Sequence, residues 1–178
     1  MKHYELVKDN DPILSQPAER FDFDNPPMDP IELFEDMKRI MQQNHGFGLS
    51  APQIGVPYQV FVLGNPYDGD SIFSVFNPKV VDTMGDTFGT QEIVMEEGCL
   101  TYPGLFVKIK RPASIRARFS GHDGVVDTMN FNGYTARAFL HEYDHLQGVT
   151  FVNRASKLQL DRAKKKKVKL DRMRKRNV

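Results

Sequence analysis

The sequence has few of the features that mark secreted or membrane proteins. Cys99 is the only cysteine among 178 residues, which excludes an intramolecular disulfide and indicates a reducing compartment. No apolar run is long enough to cross a bilayer, and residues 1–4 do not begin a secretory signal. We therefore expect a cytoplasmic protein without membrane association.

Acidic residues are scarce at the C-terminal end, so the charge is uneven along the chain. The formal net charge is +1, but residues 157–178 contain eleven Lys or Arg and only two Asp. This basic block carries +9 and the remainder carries −8. Such a block is usually a solvated helix or tail, and the alternative is contact with nucleic-acid phosphate. It contains no aromatic residue, so stacking on single-stranded bases is not expected.

The segment H-E-Y-D-H at 141–145 is the most informative motif of the chain. On a helix, His141 and His145 lie one turn apart on the same face, where both imidazoles can reach one metal ion. Glu142 lies at the flank of that face, where a carboxylate can exchange a proton with water. The alternative is two helix histidines that bind no metal.

A catalytic metal normally has three protein ligands, and the third is missing downstream of this motif. Peptidases that use a further downstream histidine need it at position 151, which is Phe151 here. No His or Glu follows His145, so the third ligand is expected upstream. The upstream candidates are several carboxylates and the side chains of His3, His45, His122 and Cys99.

Cys99 is the best candidate for the third ligand. It lies in residues 96–103, which we interpret as a polar-flanked turn with a glycine directly before the sulfur. A lone cysteine is more often a small apolar residue inside a strand or helix. Beside an H-E-x-x-H motif, a thiolate that completes a Cys/His/His ligand set is the better interpretation.

The secondary-structure pattern around these motifs indicates an α+β fold. A helix is predicted to begin at Asp29, a capping residue followed by Pro30, and to stop at residues 44–46, with His45 at its end. A second helix is predicted over 134–146, and a hairpin turn with an exposed His122 over 121–124. Strands are predicted at 59–63, 71–76, 106–110, 114–119 and 125–131.

From this pattern we expect antiparallel sheets packed around a central helix that carries the HExxH motif. An early helix packs against them, and a basic helix or tail ends the chain. With 40% hydrophobic and 26% charged residues, the composition is that of an ordinary globular protein. We expect one domain over residues 1–156 and the basic helix or tail over 157–178.

Three segments resemble the three signature motifs of the peptide deformylase family. The segment G-F-G-L-S-A-P-Q at 46–53 resembles the first motif, a glycine-alternating loop that ends in glutamine. E-G-C-L-T at 97–101 resembles the second motif, usually E-G-C-L-S, and L-H-E-Y-D-H at 140–145 resembles the third, usually Q-H-E-x-D-H. Order and spacing agree, and the similarity extends from about residue 11 to residue 151.

The chain departs from the family pattern at three places. Thr101 replaces the usual serine and keeps its hydroxyl, whereas Leu140 replaces the usual glutamine and removes a polar neighbour of the metal site. An arginine that another branch of the family carries near Phe106 is also missing, so contacts to the substrate backbone differ there.

The resemblance implies hydrolysis of N-formylmethionyl peptides to formate and a free N-terminal methionine. It implies that Cys99, His141 and His145 hold the metal and that Glu142 is the general base and acid. The side-chain amide of Gln53 and the backbone N–H of Leu100 are expected to stabilise the oxyanion.

The same resemblance suggests the substrate contacts, the metal and the partners. Gly48 is expected to bond the substrate through its main chain, and Phe47, Met95 and Tyr102 to form the methionine pocket, although each could be plain core. The family uses Fe²⁺ naturally, and Zn²⁺, Ni²⁺ or Co²⁺ can occupy the same ligands. The resemblance implies formylated nascent peptides as partners. The charge of the basic tail suggests contact with the ribosome surface, and a monomer is the default oligomeric state.

Two hypotheses from other classes stay open at this point. The first is a zinc peptidase that cleaves internal peptide bonds, against which the missing downstream ligand and the upstream cysteine motif argue. The second is a non-catalytic ribosome- or RNA-binding relative, against which intact Glu142, Gln53 and the three ligands argue.

Overall fold

The computed structural model describes residues 4–83 and 91–176, with side chains up to residue 173. Its strands form two antiparallel sheets. The larger sheet has five strands, adjacent in the order β1 (Gly48–Ser50), β2 (Val60–Leu63), β3 (Phe73–Asp82), β6 (Ser114–Ser120) and β7 (Val126–Asn132). The smaller sheet pairs β4 (Glu92–Cys99) with β5 (Tyr102–Pro112). The helices are α1 (Pro30–Gln43), α2 (Gly133–Leu146), the single turn α3 (Phe151–Arg154) and α4 (Lys157–Arg176).

Helix α1 begins where the sequence predicted. Asp29 accepts hydrogen bonds from the backbone N–H groups of Ile31 and Glu32 at 2.8 and 3.0 Å, and Pro30 occupies the first turn. The helix ends at Gln43, and His45, two residues further on, has a positive φ of 55° that turns the chain toward β1. Its buried face consists of Leu33, Phe34, Met37, Ile40 and Met41.

The large sheet separates α1 from α2, because successive residues of a strand point to opposite faces. Val60 and Val62 of β2 belong to the core on the α1 side. Phe61 and Leu63 belong to the core on the α2 side, where the ring of Phe61 meets Phe139 edge-on at a centroid distance of 5.0 Å. Helix α2 is thereby anchored on the large sheet.

The smaller sheet has its own core and carries the C-terminal helix. Leu105, Val107 and Ile109 alternate along β5 and pack with Phe151 of α3. Two residues of α4, Leu160 and Ala163, cover this cluster, so the basic block is a helix that is attached to β5 at its beginning. Within residues 4–83 and 91–176, no helix is both long and apolar enough to cross a membrane.

Strand β4 corrects the interpretation of residues 96–103 as a turn. Glu96 to Cys99 are the last residues of β4, and only Leu100 and Thr101 form the turn, since Cys99 pairs with Tyr102 across the hairpin. The strand was missed because its polar and apolar residues do not alternate with burial: Val94 is exposed, whereas Glu97 is buried. The three-residue strand β1 was also not predicted.

His122 corrects a second expectation. It lies in the predicted turn between β6 and β7, but its side chain is half-buried rather than exposed. Its ring stacks on Phe34 at 4.7 Å, and its Nδ1 lies 3.0 Å from the hydroxyl of Ser74. The residue therefore ties the hairpin turn to α1 and β3.

Candidate metal centre

Helix α2 presents both histidines of the motif to the smaller sheet. Ala136, Phe139 and Leu146 pack on the large sheet, so the opposite side of the helix is left for the motif residues. His141 and His145 are buried, with ring centroids 5.2 Å apart. This is the one-turn neighbour relation that the i, i+4 spacing predicts.

Cys99 completes a set of three donors. Its Sγ lies 3.4 Å from Nε2 of His145, and one ligand atom from each of Cys99, His141 and His145 lies within 4.8 Å of the others. Bond lengths of about 2.0–2.3 Å at a tetrahedral metal separate neighbouring donors by about 3.5 Å. One thiolate and two imidazoles, which suit zinc and iron alike, therefore fit one divalent ion with small adjustments.

Glu97 orients one of the histidines. Its Oε2 lies 3.1 Å from Nδ1 of His141, and both of its oxygens accept hydrogen bonds from Arg111, at 2.6 and 2.9 Å. Burial opposes the charged carboxylate, but the hydrogen bonds from His141 and Arg111 prevail and lower the pKa of Glu97 to about 2. A carboxylate on Nδ1 leaves Nε2 of the same ring for a metal.

The pKa values of the two histidines are shifted in opposite directions. Burial acts against a charged His141, but hydrogen bonds to Cys99 and Glu97 raise its pKa to about 10. Burial, together with the charges of His141 and Arg111, lowers the pKa of His145 well below its usual value. The thiol of Cys99 and the carboxylates of Glu97 and Glu142 thus favour a positive charge between them. A bound cation would supply that charge in place of the proton on His141.

Glu142 lies buried next to the donors, and burial raises its pKa to about 7. Among the described residues, its Oε2 has no hydrogen-bond partner. The backbone of Gly48 approaches it so closely that a Cβ at position 48 would lie 2.5 Å from Oε1. A carboxylate that titrates near neutral pH and has a free oxygen is suited to accept and return a proton.

Gln53 is held in one orientation by its neighbours. Its Oε1 accepts hydrogen bonds from the backbone N–H and the hydroxyl of Ser50 at 2.9 and 3.0 Å. Its Nε2 therefore faces the donors, at 3.2 Å from Sγ of Cys99 and 3.1 Å from the hydroxyl of Thr101. Thr101 thus uses the hydroxyl that it shares with the more usual serine.

These residues line a cleft of about 520 Å³ between β1, α2 and the β4–β5 hairpin. The predicted residues that the structure brings to this cleft are Phe47, Gly48, Gln53, Cys99, Leu100, Tyr102, His141 and Glu142. His145 lies behind them, fully buried.

Met95 is not brought to the cleft. It lies on β4 with 37% of its surface exposed, outside the residues that line the cleft, and so apart from the other residues predicted for the methionine pocket. Tyr102 lines the cleft, but its hydroxyl also donates to the carbonyl of Asp9 at 3.3 Å and its ring packs on Phe151. His122 lies outside the cleft, and His3 lies outside the described residues.

Several lining residues were missed by the sequence analysis. Tyr134, Arg137 and Ala138 precede the motif on α2 and lie on the face that His141 and Glu142 share. The helical period could have identified them, because positions 134, 138, 141 and 142 repeat at turn spacing. Phe106, within β5, gave no such signal, and His45, considered above as an upstream ligand candidate, also lines the cleft.

An α+β fold with two buried histidines and a partly buried cysteine beside a carboxylate is typical of one class of protein, the metal-dependent hydrolases. A family profile described as polypeptide deformylase matches residues 3–161. A peptide deformylase from Cytophaga hutchinsonii is 35% identical over 161 residues, which cover 88% of this chain and 84% of that protein. A peptide deformylase 1 from Bacillus cereus is 34% identical over 154 residues, covering 86% and 92%.

Solved structures agree with the sequence comparison. The peptide deformylase from Synechococcus elongatus superposes with a TM-score of 0.82 at 31% identity, covering 92% of this chain and 87% of that chain. The Thermotoga maritima enzyme has a TM-score of 0.76 at 31% identity, covering 88% and 99%. The chain belongs to the peptide deformylase family. It is a hydrolase that removes the N-formyl group from the N-terminal methionine of nascent polypeptides, and the peptidase and non-catalytic hypotheses are set aside.

Proposed function

We propose that this deformylase holds one divalent metal through Cys99, His141 and His145 and uses Glu142 to move the proton of the reaction. The observation that carries the proposal is the convergence of the three donors, within 4.8 Å of one another, beside a buried carboxylate with a free oxygen. In this account, the HExxH helix is the central element of the domain. When bound, the metal supplies Lewis acidity toward water and toward the formyl carbonyl.

Glu142 accepts the proton of the attacking water and later returns it to the leaving amine. The water oxygen forms a bond to the formyl carbon, and the bond from that carbon to the methionine nitrogen breaks. Formate and a free amine result. This role is supported by the burial of Glu142, which raises its pKa to about 7, so the carboxylate can hold a proton between the two steps.

Gln53 and Leu100 stabilise the oxyanion of the tetrahedral intermediate. The amide of Gln53 is suited to this role because Ser50 fixes its oxygen and turns its N–H₂ group toward the cleft. Leu100 lies in the turn directly after Cys99 and lines the same cleft, so its backbone N–H is close to the donors. Donors fixed before the reaction need no reorganisation when charge develops.

Gly48 contributes main-chain groups to the substrate backbone, and the walls of the cleft receive the methionine side chain. Phe47 and Tyr102 are retained for this wall, while Met95 is not, since it lies outside the cleft. The aromatic rings of Phe106 and Tyr134 are added to it, because both line the cleft and are more than half exposed.

Ferrous iron is the metal we propose for the cell, with Zn²⁺, Ni²⁺ or Co²⁺ as substitutes that the same donors accept. The catalytic domain comprises residues 1–156, and the basic helix or tail over 157–178 contacts ribosomal RNA near the nascent chain. Helix α4 is suited to this contact because its Lys and Arg side chains up to residue 173 are largely exposed. The enzyme would act as a cytoplasmic monomer.

The ligand set is tested by the metal content of a Cys99→Ser variant, with His122→Ala as the control for a histidine outside the cleft. We expect one metal per chain in the wild type and in His122→Ala, and loss of metal and formate release in Cys99→Ser. Full metal content in Cys99→Ser would contradict the ligand set.

A further inference from the structure

The three donors come from two separate parts of the molecule. Cys99 ends β4 in the smaller sheet, whereas His141 and His145 lie on α2, which is anchored on the large sheet. Binding a metal tightly requires donors that are held within about 0.5 Å of their bound positions. The contacts that join α2 to the smaller sheet therefore bear directly on the site.

One contact runs from the smaller sheet to the helix. Arg111 on β5 donates to Oδ2 of Asp144 at 2.8 Å and to the carbonyl of Leu140 at 3.3 Å. Both acceptors lie on α2, within one residue of a histidine of the motif. Arg111 also holds Glu97 on the neighbouring strand.

In a second contact, the donor lies on the helix and the acceptors lie on the smaller sheet. Arg137 lies on α2 one turn before His141 and is 4% exposed. Its Nη1 donates to Oε1 of Glu97 at 2.5 Å and to the carbonyl of Ile109 at 3.0 Å, and its Nη2 donates to the carbonyl of Ile93 at 2.5 Å. The guanidinium thus reaches both β4 and β5, which a planar group with several fixed donors does well.

Glu97 links this contact to two of the proposed ligands. It lies two residues before Cys99 on β4, so fixing its carboxylate also fixes the strand end that carries the thiol. Its Oε1 accepts from Arg137, while its Oε2 lies 3.1 Å from Nδ1 of His141. Without Arg137, Glu97 would keep its hydrogen bonds from Arg111 and His141, but the strand carbonyls of Ile93 and Ile109 would lose their donor from α2.

We propose that Arg137 is a positioning residue, which fixes the separation between Cys99 and the two histidines and so sets how tightly the site holds its metal. The inference rests on the proposed ligand set. It assigns a role to a residue that lies outside the three signature motifs. Changes to groups that orient metal ligands typically lower metal affinity about 10- to 100-fold.

Arg154 offers a matched control within the same group of charges. It lies on α3 and donates to both oxygens of Asp144, at 3.0 and 2.5 Å, with its side chain 52% exposed. In the described part of the chain, its hydrogen bonds are to Asp144, and not to Glu97 or to the strand carbonyls. An Arg154→Met variant therefore removes an arginine from the network but leaves the tie between α2 and the smaller sheet.

The test is the release of Co²⁺ into excess chelator from the full-length protein, followed through the thiolate-to-cobalt absorption that reports Cys99. We expect Arg137→Met to release Co²⁺ at least about 10-fold faster than the wild type, with a weaker thiolate band. Arg154→Met should release it at the wild-type rate. Equal release rates and bands in the two variants would overturn the proposal.

Two further variants keep the result decisive. If Arg137→Met does not fold, Arg137→Lys replaces it, since a lysine keeps the charge but cannot reach both strand carbonyls from a single nitrogen. Fast release from Arg137→Lys supports the proposal, and wild-type release refutes it. Cys99→Ser separates the two claims, because unchanged cobalt binding there would refute the ligand set itself, whatever Arg137 does.

Discussion

Gly48 and Glu142 approach each other more closely than a larger residue at position 48 allows. A Cβ at position 48 would lie 2.5 Å from Oε1 and 2.8 Å from Cγ of Glu142. The glycine therefore leaves the carboxylate its place, and since β1 also forms one wall of the cleft, we expect it to admit the substrate backbone as well.

A Gly48→Ala variant is therefore expected to displace the carboxylate without removing a ligand. We predict that kcat for a formylated tripeptide falls at least about 10-fold, because a small misplacement of a catalytic group is costly, while metal content is unchanged. The control is Gly69→Ala, where the nearest atom to the added methyl group lies 3.5 Å away. Wild-type kcat in Gly48→Ala would contradict this prediction, because it would mean that a methyl group at position 48 does not displace the carboxylate of Glu142.

At the scale of elements, the buried charges between α2 and the smaller sheet determine how the two parts fit. Arg111 is buried between Glu97 and Asp144, with side-chain exposures of about 5% for all three. Removing one partner of such a group leaves uncompensated buried charge, which typically costs about 3–5 kcal/mol. The next residue along β5, Lys110, pairs with Glu92 in solvent.

This contrast gives a matched pair of variants on adjacent residues. Arg111→Met is expected to lower the free energy of unfolding by about 3–5 kcal/mol. Lys110→Met should lower it by less than about 1 kcal/mol, because its ion pair is exposed. Denaturant unfolding of the metal-free proteins measures both. Similar losses for the two variants would mean that the buried network contributes no more than a surface pair.

The same network marks the limit of prediction from the sequence. The helix that carries the motif could be predicted, because its apolar and histidine positions repeat at local helical spacing. The burial of Glu97 could not be predicted, since its partners Arg111 and Arg137 lie 14 and 40 positions away. Strand β4 was missed because this glutamate occupies a buried position on it. The half-burial of His122 was missed because it depends on Phe34 and Ser74 from other elements.

At the scale of the whole molecule, the charge is divided between the catalytic domain and α4. The first turns of the helix are attached to β5 through Leu160 and Ala163, whereas the residues that follow are largely exposed. Lys167 is an exception. Its Cε lies 3.7 Å from the point that a Cβ at position 104 would occupy, and its Nζ pairs with Asp171. The exposed part can contact another surface without disturbing the cleft.

Deleting residues 164–178 is accordingly expected to spare the turnover of a short formylated peptide and to weaken ribosome binding. The attraction to RNA phosphate should depend strongly on salt, so the difference between full-length and truncated protein should shrink as salt rises. Co-sedimentation with ribosomes at two salt concentrations measures this. A truncated chain that sediments as fully as the intact one would refute the role proposed for the helix.

The proposed reaction depends on Glu142, which moves the proton at a metal site formed by Cys99, His141 and His145. The most direct measurement is formate release from a formyl-methionyl tripeptide by wild-type protein and Glu142→Gln, both purified anaerobically with iron. We predict one metal per chain in both proteins, with formate from the wild type and none from Glu142→Gln. Formate release at the wild-type rate from metal-loaded Glu142→Gln would contradict the account.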